Sequence, residues 1–334
     1  MAPDSSIETE IITRKRMMVF SGSTHPNLSE EIVAHLGIQL CGAELNRFAS
    51  GEIYFRADES VRGADAFVIQ THASPINESI MEQLVMIDAL KRASAKRISA
   101  VIPYYGYSRQ DKKTLSREPI SAKLVADLLS SAGTDRVISV DLHSGQIQGF
   151  FDAPFDHLTA LPLLEDYFQQ ELGIPGEDLV VIAPDTGRVK VAERLAGHLN
   201  ADLAFIYKRR SRREAHRIEA LDLVGDVEGR PCVVVDDMID TGGTMVKGAE
   251  VLAEKGAGEI YVGATHGLFS GKAVQMLEEA PIQQVVVTNT VPIPEEKQFG
   301  KLTILSIAPI IAEALRAVFK DESVSEIFHG ENQP

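Results

Sequence analysis

Two hydrophobic patterns alternate along this chain. The first is a set of short, unbroken apolar runs, many β-branched, that end in polar or charged residues. Met17 to Ser21, Ala66 to Gln70, Ala100 to Ile102, Val137 to Asp141, Leu179 to Ala183, Ala204 to Tyr207, Cys232 to Val235, Ile260 to Ala264 and Val285 to Thr288 are of this kind. Such runs predict strands buried on both faces. The second pattern has apolar residues at helical spacing. It covers Leu28 to Leu36, Ile76 to Arg92, Ala122 to Ser131, Ala160 to Leu172, Val189 to Leu199, Met245 to Lys255 and Ile310 to Lys320. Strands alternating with helices predict mostly parallel sheets with helices on both faces.

The pattern also repeats. A helix ending at Gly133 is followed by a strand running to His143, and a helix ending near Gly256 by a strand running to His266, at the same offset. Each unit is preceded by a strand that opens into a polar loop. Two equivalent βαβ units predict a duplicated α/β architecture, two three-layer α/β/α domains, with each half retaining different chemistry. The first domain is placed at 17–159 and the second at 160–307. Residues 1–16 are polar, then basic, and are expected to form a flexible tail.

With 334 residues, 44% hydrophobic, the chain can bury two cores. Its two cysteines, Cys41 and Cys232, lie far apart in sequence, which argues for a reducing, cytoplasmic compartment. No apolar segment suits a signal peptide or a membrane span. A net charge of −15 argues against nucleic acid as the main partner, though local basic loops can still hold phosphates.

The densest chemistry follows the run at Cys232. Asp236 and Asp237 stand at the strand end, and Asp240-Thr241-Gly242-Gly243-Thr244 leads into the next helix. Glycines let backbone N–H groups close on an anion, and a helix start adds partial positive charge. Carboxylates accept hydrogen bonds from sugar hydroxyls. The combination suits a ribose 5-phosphate group better than a plain turn would. Elsewhere, His143 and Asp185 each follow a predicted strand, where ligands gather in open parallel sheets. Imidazole plus carboxylate suits Mg²⁺ held together with a nucleotide, and a lone His can equally bond a neighbouring loop. Arg109 and Gln110 open a charged loop that could clamp phosphate and read a base or ribose edge, or be plainly solvated. Lys208, Arg209, Arg210, Arg212, Arg213 and Arg217 crowd one stretch, readable as an anion clamp, a solvated basic loop or a nucleic-acid patch. Arg188 could contact phosphate or salt-bridge outward.

Taken together, Phe48-Ala49-Ser50-Gly51-Glu52, Arg109 to Lys113, Asp141-Leu142-His143 with Gln146 to Phe151, Pro184-Asp185, Lys208 to Arg210 and Asp236 to Thr244 resemble the ribose-phosphate pyrophosphokinase family, of the type I phosphoribosyltransferase fold. The resemblance runs from about Met17 to Phe328 and points to the family's class I. It implies transfer of the β,γ-diphosphate of ATP to the 1-hydroxyl of ribose 5-phosphate, with release of AMP. On this basis Lys208 and Arg210 are the catalytic pair, and Phe48, Ser50, Gly51, Glu52, Arg109 and Gln110 bind ATP. Arg210, Asp236, Asp237, Asp240, Thr241, Gly242, Gly243 and Thr244 hold ribose 5-phosphate, and His143 and Asp185 hold Mg²⁺. It further implies a C-terminal helix, 308–322, that returns to the first domain, with the tail 323–334 assigned to the second. A homohexamer with active sites shared between subunits is implied as well. So is an effector site for inorganic phosphate and ADP, built from Ser60, Arg62, Gln146, Ser323 and Ser325. Ser50 and Arg188 depart from the usual family residues, Asp or Asn and Gly. Two other functions fit parts of the pattern: a phosphoribosyltransferase that uses the product, and a non-catalytic partner of the synthetase. No P-loop, dinucleotide or zincin motif occurs.

Overall fold

The computed structural model describes residues 15–171, 173–209 and 220–332. The first half runs β1 (Met17–Ser21), α1 (Pro26–Leu36), β2 (Ala43–Arg47), β3 (Ile53–Ala57), β4 (Asp65–Ile69), α2 (Ile76–Arg92), β5 (Arg97–Ile102), α3 (Ser121–Ala132), β6 (Arg136–Val140) and β7 (Phe155–Leu158). The second half continues with α4 (Leu161–Glu171), β8 (Val180–Ala183), α5 (Val189–Leu199), β9 (Asp202–Arg209), β10 (Ala220–Val224), β11 (Cys232–Ile239), α6 (Gly243–Glu254), β12 (Ile260–Gly267), α7 (Ala273–Glu279), β13 (Gln284–Thr288) and β14 (Leu302–Leu305), and the last helix is α8 (Ala308–Lys320).

Strands β1-β4-β5-β6-β7 form one parallel sheet. Strands β10-β9-β8-β11-β12-β13-β14 form a second, parallel except where β10 runs against β9. The order β4-β5-β6-β7 in one sheet matches β8-β11-β12-β13 in the other, so the duplication legible in sequence is a duplication of the fold. The punctuation repeats too. Gly133 closes α3 at φ 114°, and Gly256 follows α6 at φ 79°, left-handed conformations that favour glycine.

Each sheet is buried on both faces. Met18, Phe20, Val68, Ala100 and Ile102 pack against α2 and α3, and Val19, Phe67, Ile69, Val101 and Ile138 pack on the other side. The latter layer is closed by α1 and α8: Leu28 and Ile32 of α1 meet Ile311 and Leu315 of α8, so the last helix folds back onto the first sheet. The tail beyond it, assigned above to the second half, straddles both. Helix α8 ends on the first half at Asp321, so Val324 and Phe328 remain in that core. Glu331 then reaches α5, where its carbonyl accepts a hydrogen bond from Arg194 at 2.6 Å.

The halves meet at the carboxyl ends of their strands. Ala73, Tyr104, Met238 and Val291 form a small apolar cluster there. The Thr71 hydroxyl donates to the Thr290 carbonyl at 2.7 Å, and the Thr265 hydroxyl to Asp141 at 2.6 Å. Among the described residues both cysteines are free, and no helix is long and apolar enough to cross a membrane.

Candidate active site

Strand β11 is buried from Cys232 to Val235 and delivers its acids at the junction of the halves. The chain then bends through Asp240 and Thr241 into α6. Gly242 makes the bend at φ +77° as the residue capping the helix start. The first-turn N–H groups of a helix have no acceptor within it and, with the helix dipole, suit an anion. A cavity of about 200 Å³ opens here, lined by the loop from Asp236 to Met245 together with Arg109, His143 and Asp185. The two halves therefore contribute to one site. Arg109, from the loop after β5, pairs with Asp240 at 2.7 Å. This pair, with Ser270, holds the Asp240 carboxyl below its ordinary range even though partial burial opposes its charge.

At the floor of the site, Arg188 and the two strand-end acids are locked together. Arg188 Nε lies 2.9 Å from Asp236 and a terminal guanidinium nitrogen 2.6 Å from Asp237, with only 11% of the arginine side chain exposed. The same nitrogen donates to the His143 carbonyl at 3.2 Å. Arg188 thus neither points outward nor stands free for a phosphate, the two alternatives open to the sequence. It turns inward because two buried carboxylates need a counter-charge. Burial disfavours charge on Asp237, but the His143 hydrogen bond and the Arg188 charge outweigh it and hold that carboxyl well below its usual range. Burial, with the adjacent Asp237 charge, pushes Asp236 upward against the pull of Arg188.

His143 Nδ1 lies 2.9 Å from Asp237 Oδ2 and 3.0 Å from Arg188. The guanidinium has better acceptors in Asp237 and the His143 carbonyl. Nδ1 therefore carries the proton and donates to Asp237, and Nε2, with no partner among the described residues, is the free lone pair. A carboxylate behind an imidazole is the usual means of aiming it at a metal. Among the described residues no cluster of three or more His, Cys, Asp or Glu is placed to hold an ion. His143 and Asp185 line one cavity, a nitrogen and a carboxylate donor that fit a metal completing its shell with ligands from outside the protein.

Other predicted site residues lie elsewhere. The Gln110 side-chain oxygen Oε1 accepts a hydrogen bond from the Ser121 hydroxyl at 2.6 Å, and the side chain does not line the cavity. Phe48, Ser50, Gly51 and Glu52 sit at the tip of the β2–β3 hairpin, away from it; Phe48 is 57% exposed and the Ser50 hydroxyl donates to Glu52 at 2.6 Å. Ser60 and Arg62 line a separate cavity of about 240 Å³, which Gln146, Ser323 and Ser325 do not line. Gln146 instead donates to Asp111 at 2.5 Å. Lys208 belongs to β9, opposite Leu221, and Arg210 falls outside the described residues.

Of two buried histidines at the junction, His157 is not marked by the sequence pattern at all and His266 only as a repeat position. His266, at the repeat position of His143, bonds the Thr290 hydroxyl at 2.8 Å and the Asp141 carbonyl at 3.1 Å. His157 accepts from the backbone N–H of Leu142 at 3.0 Å, directly before His143. The role of Arg188 did have a signal: a cation beside the start of a predicted helix opposes the helix dipole and calls for an anionic partner.

Residues 17–133 match the model of the N-terminal domain of ribose phosphate pyrophosphokinase, and residues 212–329 that of the phosphoribosyl synthetase-associated domain. A ribose-phosphate pyrophosphokinase of Streptomyces avermitilis is 52% identical over 94% of this chain and 96% of its own. One of Mycobacterium tuberculosis is 50% identical over 95% and 97%. The crystal structure of phosphoribosylpyrophosphate synthetase from Mycobacterium smegmatis superimposes with a TM-score of 0.86 at 52% identity, over 92% of this chain and 100% of that one. With the duplicated fold, the two family models and similarity over nearly the full length in agreement, the chain belongs to the ribose-phosphate pyrophosphokinase family.

Proposed function

We infer that this protein is a ribose-phosphate diphosphokinase: the 1-hydroxyl of ribose 5-phosphate attacks the β-phosphorus of ATP, giving 5-phosphoribosyl 1-diphosphate and AMP. The observation that carries this reading is the Arg109–Asp240 pair, which joins the cationic loop of one half to the ribose-type loop of the other across a single cavity. Diphosphate transfer needs alignment and charge neutralisation more than a covalent nucleophile. The Thr241–Thr244 turn and the start of α6 receive the 5-phosphate. Asp236 and Asp240 accept from ribose hydroxyls, and Asp237 backs His143. Arg109 exchanges its Asp240 partner for nucleotide phosphate as ATP enters. Mg²⁺ held by His143 Nε2 and Asp185 would screen the negative charge of the phosphates. Lys208 and Arg210 supply positive charge where it builds up on the transferring group.

Phe48, Ser50, Gly51 and Glu52 serve the adenine side of a neighbouring subunit's site, which their exposed hairpin permits, in a homohexamer in the cytoplasm. Gln110 reaches the nucleotide after releasing Ser121. Ser60 and Arg62, with Gln146, Ser323 and Ser325, form an intersubunit effector site for phosphate and ADP. A rate independent of added phosphate would remove that site. The reaction itself is tested by phosphorus NMR of a mixture of enzyme, ATP, Mg²⁺ and ribose 5-phosphate. We expect a diphosphate bonded to carbon 1 of the sugar, and its absence, or its formation from a nucleotide monophosphate and free diphosphate alone, contradicts the reading.

A further inference from the structure

The Arg188 side chain is largely buried beneath the strand-end acids. Its Nε bonds Asp236, and one terminal nitrogen bonds both Asp237 and the His143 carbonyl, so one cation ties the strand-end acids to the backbone of His143. Behind it lies a cavity of about 30 Å³, room for roughly one water molecule, lined among others by Asp141, Arg194, Asp236 and Asp237. Asp141 is already held by the Thr265 hydroxyl and by the Ala160 N–H at 2.8 Å. Arg194 points toward the tail carbonyl of Glu331. Arg188 is the guanidinium paired with both Asp236 and Asp237. Two adjacent buried carboxylates without a counter-charge are costly, and besides protonation of one of them a divalent cation is a means of neutralising them.

We propose that Arg188 is a positioning residue that acts as a built-in counter-ion: it holds Asp236 for the ribose hydroxyls, fixes the His143–Asp237 pair, and keeps divalent cations off the two acids. A guanidinium has the geometry for this, with parallel donors matched to two carboxylates, and it cannot lose its charge. The consequence is a division of cation duties. The metal is confined to the His143–Asp185 side of the cavity, and the ribose side is neutralised by protein. The link to ribose rests on the function proposed above, and the exclusion of metal from the acid pair does not.

The test is a Mn²⁺ titration of the substrate-free protein, with free ion read by electron paramagnetic resonance, on the parent, Arg188→Gln and Arg188→Lys. For Arg188→Gln we expect one additional Mn²⁺ per chain, bound at least about tenfold more tightly than anything the parent holds, and displaced by Mg²⁺. Arg188→Lys keeps the charge but loses the fork, so its Mn²⁺ binding should match the parent while KM for ribose 5-phosphate rises several-fold more than KM for ATP. No gain of Mn²⁺ affinity in Arg188→Gln overturns metal exclusion. Should that variant not fold, Arg188→Lys decides by itself, and an unchanged KM for ribose 5-phosphate overturns the positioning role. If the parent instead makes no AMP from ATP and ribose 5-phosphate, the proposed function fails, and the substrate-free Mn²⁺ result still stands or falls separately.

Discussion

Neighbouring acids at the end of β11 have separate duties. Asp237 gives both carboxylate oxygens to protein partners, one to His143 and one to Arg188, whereas Asp240 faces the cavity and is held by Arg109 alone among side-chain cations paired with it in the described residues. His143→Ala should therefore act mainly through the metal. We expect the Mg²⁺ concentration for half-maximal rate to rise about ten- to a hundredfold, and a Mg²⁺ titration superimposable on that of the parent would assign His143 a packing role only. Lys208→Ala should lower kcat by about 10²–10³ while KM for ATP changes far less, as expected when one preorganised charge contact to the transition state is lost. Steady-state kinetics check this, and equal losses in both parameters would make Lys208 an ordinary binding residue. At this scale the sequence was readable where chemistry follows chain order, as from Asp236 to Thr244. It was not readable where a partner comes from another element. Arg188 beside a helix start calls for an anionic partner, but nothing in the sequence says that the partners lie some fifty residues on, and nothing near Gln110 states that Ser121 will occupy its side-chain oxygen.

The βα turn between β11 and α6 shows how an element positions a site. The strand is largely buried, the helix is seated by Met245, Ala249 and Leu252, and the joint of three residues between them ends at Gly242 with φ +77°. A Cβ there would meet no atom closer than 3.5 Å, so the obstacle to a side chain is conformational rather than steric. Gly242→Ala should lower stability by about 1–2 kcal/mol and raise KM for ribose 5-phosphate with little effect on ATP. Chemical denaturation and kinetics on the same preparation test this; a variant unchanged in both would mean the turn is not held in this shape. Central strands and long helices were legible because each carries a full hydrophobic period. The elements missed are short or lie at edges. The β2–β3 hairpin buries only Phe55, β14 has no buried residue in its four, and α7 has two buried residues in seven, too few to show a period.

Across the whole molecule, several histidines are buried at or near the junction of the halves. His72 accepts a hydrogen bond from the Gly106 N–H at 3.2 Å, and burial lowers its pKa to about 4 despite a bond to Gln83. His157 and His266 are shifted the same way by burial. A histidine held neutral in the folded state binds fewer protons than in the unfolded chain, so its contribution is complete above the unfolded value of about 6.5 and is lost as pH falls. Thermal unfolding should therefore show stability declining from about pH 6.5 toward pH 4, with His72 alone contributing up to about 3 kcal/mol of the loss; the opposed shifts of Asp236 and Asp237 act against one another. A flat profile over that range would mean these rings are charged in the fold. The same junction is where the two halves share one cavity, and the proposed function requires that ATP and ribose 5-phosphate react only together. The direct measurement is AMP release from ATP, with Mg²⁺ present, in the presence and absence of ribose 5-phosphate. We expect AMP formed one for one with ribose 5-phosphate consumed, and only a trace without the sugar phosphate. AMP release at the same rate without it, or none with both substrates present, would contradict the account.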